Sequence, residues 1–242
     1  METTTDDTFF SGRLSVQQPQ DGYRFSIDAV LLAGFVECKD GQTILDLGTG
    51  CGIVPLILAS RYPGLNLFGV EIQADLARIA AANVRANNLE KRIRILCQDI
   101  KNLKIQQVPE LVDHVVCNPP YRRIRSGRVN PNPGKAGARH EVFARGDDFV
   151  AAAARMLALS GRLTCVYPAL RLVDMTDHMR RAGLEPKRLR MVHSKAGDAA
   201  RLVLVSGTKG GRPGLEVEPP LVIYEEDGRY SAEVEGMFLG SG

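Results

Sequence analysis

Thr43-Ile44-Leu45-Asp46-Leu47-Gly48-Thr49-Gly50-Cys51-Gly52-Ile53 reads, in order, as a short strand, a glycine-rich turn and the start of a helix. Glycines at alternate positions let the backbone turn tightly and let a ligand approach it closely. A bare Gly-x-Gly carries little weight alone; the strand–loop–helix setting gives it meaning. Outward from it, apolar runs alternate with helical patterns. Leu65–Val70 reads as a strand and Ala74–Asn87 as a helix with Leu76, Ile79, Ala80 and Val84 on one face. Arg92–Cys97 and Leu111–Cys117 read as strands, Asp147–Leu159 as an alanine-rich helix closed by Ser160-Gly161, Arg162–Tyr167 as a strand and Leu170–Arg181 as a helix. Leu189–His193, Arg201–Ser206 and Leu221–Tyr224 are strand-like. Such alternation predicts an α/β fold: a mostly parallel sheet, helices on both faces and an antiparallel hairpin at the C-terminal end.

The other end is less patterned. Residues 1 to about 12 read as frayed, and Ser26–Val36 as a capped helix bearing Ile27, Val30, Leu31 and Phe35. The expected organisation is one domain over residues 41–242, with residues 1–40 as an N-terminal extension packing on the ligand site. At 242 residues and 44% hydrophobic content, the chain can bury a sizeable core without staples. Five scattered cysteines, without a Cys-x-x-Cys, read as reduced core residues of a cytoplasmic protein, not as metal ligands. The polar, acidic N-terminus is unlike a signal peptide, and no apolar stretch reaches the ~18 residues of a membrane span. A net charge of +3 excludes little.

Four strand ends carry polar side chains suited to chemistry. The glycine turn lacks the third glycine of a dinucleotide fingerprint, since position 53 is Ile and position 55 Pro. Asp46 repels a pyrophosphate but suits a cation, such as the ammonium or sulfonium of S-adenosylmethionine. Glu71, 25 residues further on, ends the next strand, near the ~20-residue spacing at which an acid accepts ribose hydroxyls. Asp99 follows the third strand and can accept from an adenine amino group, with Ile72 and Ile100 on the ring faces. Each also has a plain alternative: a structural turn, a cap or a solvated acid.

The fourth end is Asn118-Pro119-Pro120-Tyr121. Two prolines remove two backbone donors and stiffen the loop, and the first restricts how Asn118 leaves its strand. An amide, ladder-free carbonyls and an aromatic ring together suit a planar amine: a nucleobase amino group or a glutamine amide. Beyond it, Arg122, Arg123, Arg125, Arg128, Lys135, Arg139 and Arg145 face only Glu141 before Asp147. Clustered arginine beside a base-holding turn reads as phosphate-backbone contact, against the alternative of a solvated face. A second basic run, Arg180, Arg181, Lys187, Arg188 and Arg190, is open to both readings. Of the histidines, His114 reads as core and His140 lies in the basic loop.

In order and spacing these motifs resemble those of class I S-adenosylmethionine-dependent methyltransferases. Asn-Pro-Pro-Tyr resembles the branch that methylates planar amino nitrogens. Within it, the chain is similar to the bacterial tRNA-Val adenine-N6 methyltransferase family through Gln18-Pro19, Gly22–Leu32, Gly69–Gln73, Ala138–Glu141, Lys209-Gly210-Gly211 and Pro219-Pro220-Leu221. The resemblance implies a Rossmann-like, seven-stranded fold and S-adenosyl-L-methionine as cofactor. It implies a tRNA substrate methylated at the anticodon-loop adenine 3′ of the anticodon, with no metal and no membrane. By position, Asp46, Gly48 and Gly50 would line the methionine end, with Phe25 and Asp28 in a segment folded over it. Glu71 would hold the ribose, and Ile72, Asp99 and Ile100 the adenine. Asn118 and Pro119 would grip the target amine, and Tyr121 would stack on its base. Glutamine-N5 protein methylation, ribosomal RNA base methylation and a non-catalytic cofactor-holding RNA module are the alternatives. Glutamine methyltransferases usually carry a separate N-terminal helical domain, for which the stretch before Asp46 is short.

Overall fold

The computed structural model describes residues 4–9, 12–19, 26–108, 111–120 and 145–239. Strand β1 (Thr4–Phe9) pairs antiparallel with β2 (Leu14–Pro19), and helix α1 (Ile27–Phe35) follows. Then come β3 (Thr43–Leu47), α2 (Ile53–Arg61), β4 (Asn66–Glu71), α3 (Ala74–Ala86), β5 (Ile93–Cys97) and β6 (Val112–Cys117). The C-terminal part holds α4 (Gly146–Met156), β7 (Leu157–Pro168), α5 (Leu172–Arg181), β8 (Leu184–His193), β9 (Ala200–Lys209), β10 (Glu216–Val217), β11 (Leu221–Val222) and α6 (Ala232–Leu239).

The main sheet runs β5-β4-β3-β6-β7-β9-β8, with β10 and β11 both added to β8. Strands β5, β4, β3, β6 and β7 are parallel, and β9 is antiparallel to both β7 and β8. The expected seven strands are the long ones; two two-residue strands bring the sheet to nine. Apolar side chains from β3, β4 and β6 alternate between two cores, as a sheet covered on both faces requires. One core gathers α1, α2, Val84 of α3, Leu14 and Val16 of β2, and Val234 of α6. The other gathers Phe149 to Met156 of α4 with Met175 and Met179 of α5. His114 is buried in β6 with Nε2 2.7 Å from Thr164 Oγ1, and burial pushes its imidazole down to about 3, so it is a neutral core group.

Three elements differ from the sequence reading. The alanine-rich helix stops at Met156, and Ser160-Gly161 is a kink inside β7, with Ser160 at φ 64°. Residues 158–161 bulge out between the Leu157 and Arg162 pairings to β6. Residues 232–239, not read as helical, form α6 against α1. Residues 4–9 are a paired strand and not frayed chain.

The reason for the last lies on α3. Asn83 and Asn87, one helical turn apart, face β2 as if they were a neighbouring strand. The Asn83 amide accepts from Gln17 N at 2.7 Å and donates to Gln17 O at 2.9 Å. Asn87 does the same for Ser15, at 3.0 and 2.7 Å. Asparagine inside a helix costs about 0.7 kcal/mol against alanine. Four bonds at about 1 kcal/mol each outweigh that for both residues together. With β1 on one edge and amides on the other, β2 has partners on both sides.

The α2–β4–β5 corner, at the start of β4, is held by Arg92. Its guanidinium donates to the carbonyls of Ala59, Tyr62 and Leu65. We predict that Arg92→Met, which keeps the aliphatic stem, lowers unfolding free energy in urea by about 2–3 kcal/mol. A loss below about 0.5 kcal/mol would mean that water satisfies those carbonyls equally well.

Candidate active site

The chain runs outward from β3 to β4 and β5, then returns to the other side of β3 as β6. The strand order therefore reverses between β3 and β6, and in open α/β sheets ligands bind beyond the carboxyl ends at such a switch point. Register puts the polar residues there. Leu47 lies opposite both Val70 and Cys117, and Glu71 lies opposite Cys97. Gly48, Glu71 and Asn118 therefore stand at one level, just beyond that row. Asp46 lies one residue inside it.

The glycine loop is knitted to the end of β4. Gly48 N and Thr49 N both donate to Val70 O, at 2.8 and 2.9 Å. Gly50 N donates to Glu71 Oε2 at 2.9 Å, and Gln73 N to Glu71 Oε1 at 2.9 Å. Each carboxylate oxygen has a further lone pair free for a hydroxyl. Gly48, Gly50 and Gly52 take φ of 75°, 58° and 85°, where only glycine is unstrained. A Cβ at Gly48 would also lie 3.2 Å from the Phe149 ring.

Asp46 is 3% exposed and beside Glu71. Its Oδ2 and the Thr49 hydroxyl oxygen are buried with no hydrogen-bond partner among the described residues. Burial pushes the Asp46 carboxyl up to about 7; the Thr49 hydroxyl dipole partly opposes this and the Glu71 charge adds to it. A buried, orphaned carboxylate oxygen beside a second acid is a destabilising feature that a cationic, hydrogen-bonding ligand relieves.

The loops after β5 and β6 complete the edge. Asp99 is half-buried and caps a short 3-10 turn, accepting from Lys101 N at 2.9 Å. Ile72 is 46% exposed, whereas Ile100 is packed into the α4-side core, so Ile72 alone offers an open apolar face. Asn118 is half-buried, Pro119 buried and Pro120 exposed. Asp28 is half-buried in the first turn of α1. Phe25, Tyr121 and the basic residues Arg122, Arg123, Arg125, Arg128, Lys135 and Arg139, with His140, lie outside the described residues.

Residues 25–182 match the methyltransferase small domain family. The chain belongs to that family. A tRNA1(Val) (adenine(37)-N6)-methyltransferase of Tolumonas auensis is 29% identical over 227 residues, covering 93% of this chain and 92% of its own. One of Porphyromonas gingivalis is 29% identical over 236 residues, covering 94% and 91%. Among solved structures, a predicted O-methyltransferase from Agrobacterium tumefaciens superposes with a TM-score of 0.73 at 21% identity, over 89% of this chain and 97% of that one. TYW2 of P. horikoshii, solved with MeSAdo, gives 0.60 at 14% identity, over 87% and 73%. These two likenesses concern the fold.

Two features of this methyltransferase escape sequence reasoning. The first is Phe149, whose only sequence signal is being the first apolar residue of an alanine-rich helix. Tertiary packing sets it against Gly48. Both ends of α4 are also tied to the loop after β5: near its start Asp148 pairs with Lys101 at 3.4 Å, and near its end Arg155 donates to Ile100 O and Leu103 O. The second is the fate of the Arg180–Arg190 run. Arg180 pairs with Glu185, Arg181 with Asp177, and Arg190 bidentately with Glu233. Arg188 pairs with Glu37 and Glu218 and lies 4.7 Å over the Phe35 ring. Lys187 donates to Arg212 O. Every member of this run has a partner within the protein: Arg180 and Arg181 at the end of α5, and Lys187, Arg188 and Arg190 along β8.

The Asp46 carboxyl titrates higher folded than its ordinary 3.8. Stability from its protonated form is therefore whole below about 4 and is lost as pH rises to about 7. The full loss is on the order of 4 kcal/mol. We predict that ligand-free Asp46→Asn is more stable than the natural protein at pH 8 and that the gap narrows markedly at pH 5, by urea unfolding. Parallel pH profiles would contradict this placement of the charge.

Proposed function

We propose that this protein is an S-adenosyl-L-methionine-dependent adenine-N6 methyltransferase. Its substrate is tRNA, at the anticodon-loop adenine 3′ of the anticodon, in the cytoplasm. The observation that carries the reading is the placement of Asn118, level with Gly48 and Glu71 and followed by Pro119, across the switch point from Asp46. An amine-gripping turn thus stands beside a pocket that wants a cation. The names of the relatives, all for a tRNA adenine reaction, select adenine over a glutamine amide.

The residues fit the cofactor. The orphaned Asp46 Oδ2 suits its cationic methionine end, and the left-handed glycines give it a cradle without side chains. Glu71 keeps lone pairs for the ribose hydroxyls after holding Gly50 N and Gln73 N. Asp99 and Ile72 flank the adenine, and Ile100 supports that loop from the core. By the resemblance, Phe25 and Asp28 would cover the methionine end. When bound, S-adenosyl-L-methionine supplies an activated methyl group on a sulfonium.

The protein's part is positioning. An exocyclic adenine amine is a poor nucleophile, because its lone pair is delocalised into the ring. The Asn118 side-chain oxygen and the Pro119 carbonyl accept hydrogen bonds from its two N–H groups. Holding both protons in fixed directions favours a pyramidal nitrogen and aims its lone pair. Alignment of this kind, with fixed dipoles, is the main source of rate. Tyr121 stacks on the base, a contact worth about 1–3 kcal/mol in single-strand binders. A loop adenine already lies outside a duplex, so little unstacking is needed. Arg122, Arg123, Arg125, Arg128, Lys135 and Arg139 contact the phosphate backbone.

Asn118→Ala is expected to lower turnover on tRNA by about 100-fold or more. Calorimetric affinity for S-adenosylhomocysteine should stay within a few-fold. Loss of both together would make Asn118 a structural residue.

A further inference from the structure

Asn83 is fully buried on α3, and its amide has one partner more than β2 supplies. Besides Gln17, Asn83 Nδ2 donates to Cys51 O at 2.8 Å. Cys51 lies between Gly50, whose N–H is held by Glu71, and Gly52, the left-handed N-cap of α2. Gly52 itself sits against α3, since a Cβ there would fall 3.3 Å from Ala80 Cβ. Residues 50–52 are therefore fixed from two sides: the end of β4 and the body of α3. Asn87 provides an internal comparison. It grips Ser15 as Asn83 grips Gln17, but its remaining bond returns to Asn83 O within the helix and does not reach the loop.

We infer that Asn83 is a positioning residue for the cofactor pocket, fastening the glycine loop to the N-terminal hairpin so that cofactor binding and hairpin order rise together. The inference rests on the reading of that pocket as the S-adenosylmethionine site. It gives the β1–β2 pair a mechanical role: β2 ends at Pro19, two residues beyond Gln17, which is gripped by the same side chain that holds the loop. Loss of the Asn83 amide leaves the Cys51 carbonyl without that donor and frees both ends of the coupling. Loss of the Asn87 amide frees only the hairpin.

The test combines hydrogen exchange of the 14–19 segment with calorimetric binding of S-adenosylhomocysteine. In the natural protein, saturating S-adenosylhomocysteine should slow exchange of the Ser15 and Gln17 amides at least several-fold. Asn87→Ala should speed exchange of the segment about tenfold and leave the dissociation constant within twofold. Asn83→Ala should speed exchange similarly and raise the dissociation constant about tenfold, with kcat at saturating cofactor within threefold. A folded Asn83→Ala protein binding as tightly as Asn87→Ala would overturn the inference. Should Asn83→Ala fail to fold, unchanged exchange in the ligand-bound natural protein would overturn it instead. Absence of any binding by the natural protein would remove the cofactor reading, and this inference with it.

Discussion

The Glu71 carboxylate is the contact on which the site depends. One oxygen takes the Gly50 amide and the other the Gln73 amide, so a single side chain joins the glycine loop to the start of the β4–α3 turn. Because β4 is registered to β3 and β5 along its length, this tie places the loop relative to three strand ends at once. Gly48 and Thr49 reinforce it by sharing the Val70 carbonyl. The bonds that hold the loop come from the protein's own groups, and preorganisation of this kind reduces the ordering that binding requires. The methyltransferase family's fold recurs in structures of low sequence identity, which fits a site defined by backbone register more than by individual side chains.

Against this rigid frame stands the unfavourable placement of Asp46. A carboxyl buried beside a second acid, with one oxygen unpartnered, destabilises the ligand-free fold. On the proposed reading, a cationic ligand completes it. On that reading stability and function pull in opposite directions here, as they commonly do at strained or poorly solvated sites.

Much of this was legible in the sequence because it is local. The β3 boundaries, the glycine turn and the acids at successive strand ends follow from alternation and spacing, and the structure puts Asp46, Glu71, Asp99 and Asn118 at one sheet edge. What was illegible depends on distant partners. Residues 4–9 lack a strand pattern of their own and are ordered as the partner of β2, which α3 holds through two asparagines more than sixty residues away in the chain. Ser160-Gly161 has the chemistry of a helix stop, yet the pairing of Leu157 with Val112 starts the strand earlier and turns that signal into a bulge. Ile100 reads as a ligand-facing side chain by position but is drawn into the core beneath α4. The second basic run looks like a nucleic-acid surface in sequence. Its four arginines pair with Glu185 inside the run, Asp177 on the same helix, and Glu37, Glu218 and Glu233 from three other segments.

The central claim joins a cofactor, a target atom and a substrate class. It is tested most directly by incubating the protein with isotopically labelled S-adenosylmethionine and unmodified total tRNA, then digesting the RNA for nucleoside mass spectrometry. Labelled N6-methyladenosine above a no-enzyme control is the predicted result. Label appearing only in protein glutamine, or in no RNA although S-adenosylmethionine binds, would contradict the tRNA-adenine assignment and leave the fold and pocket to serve another planar amine.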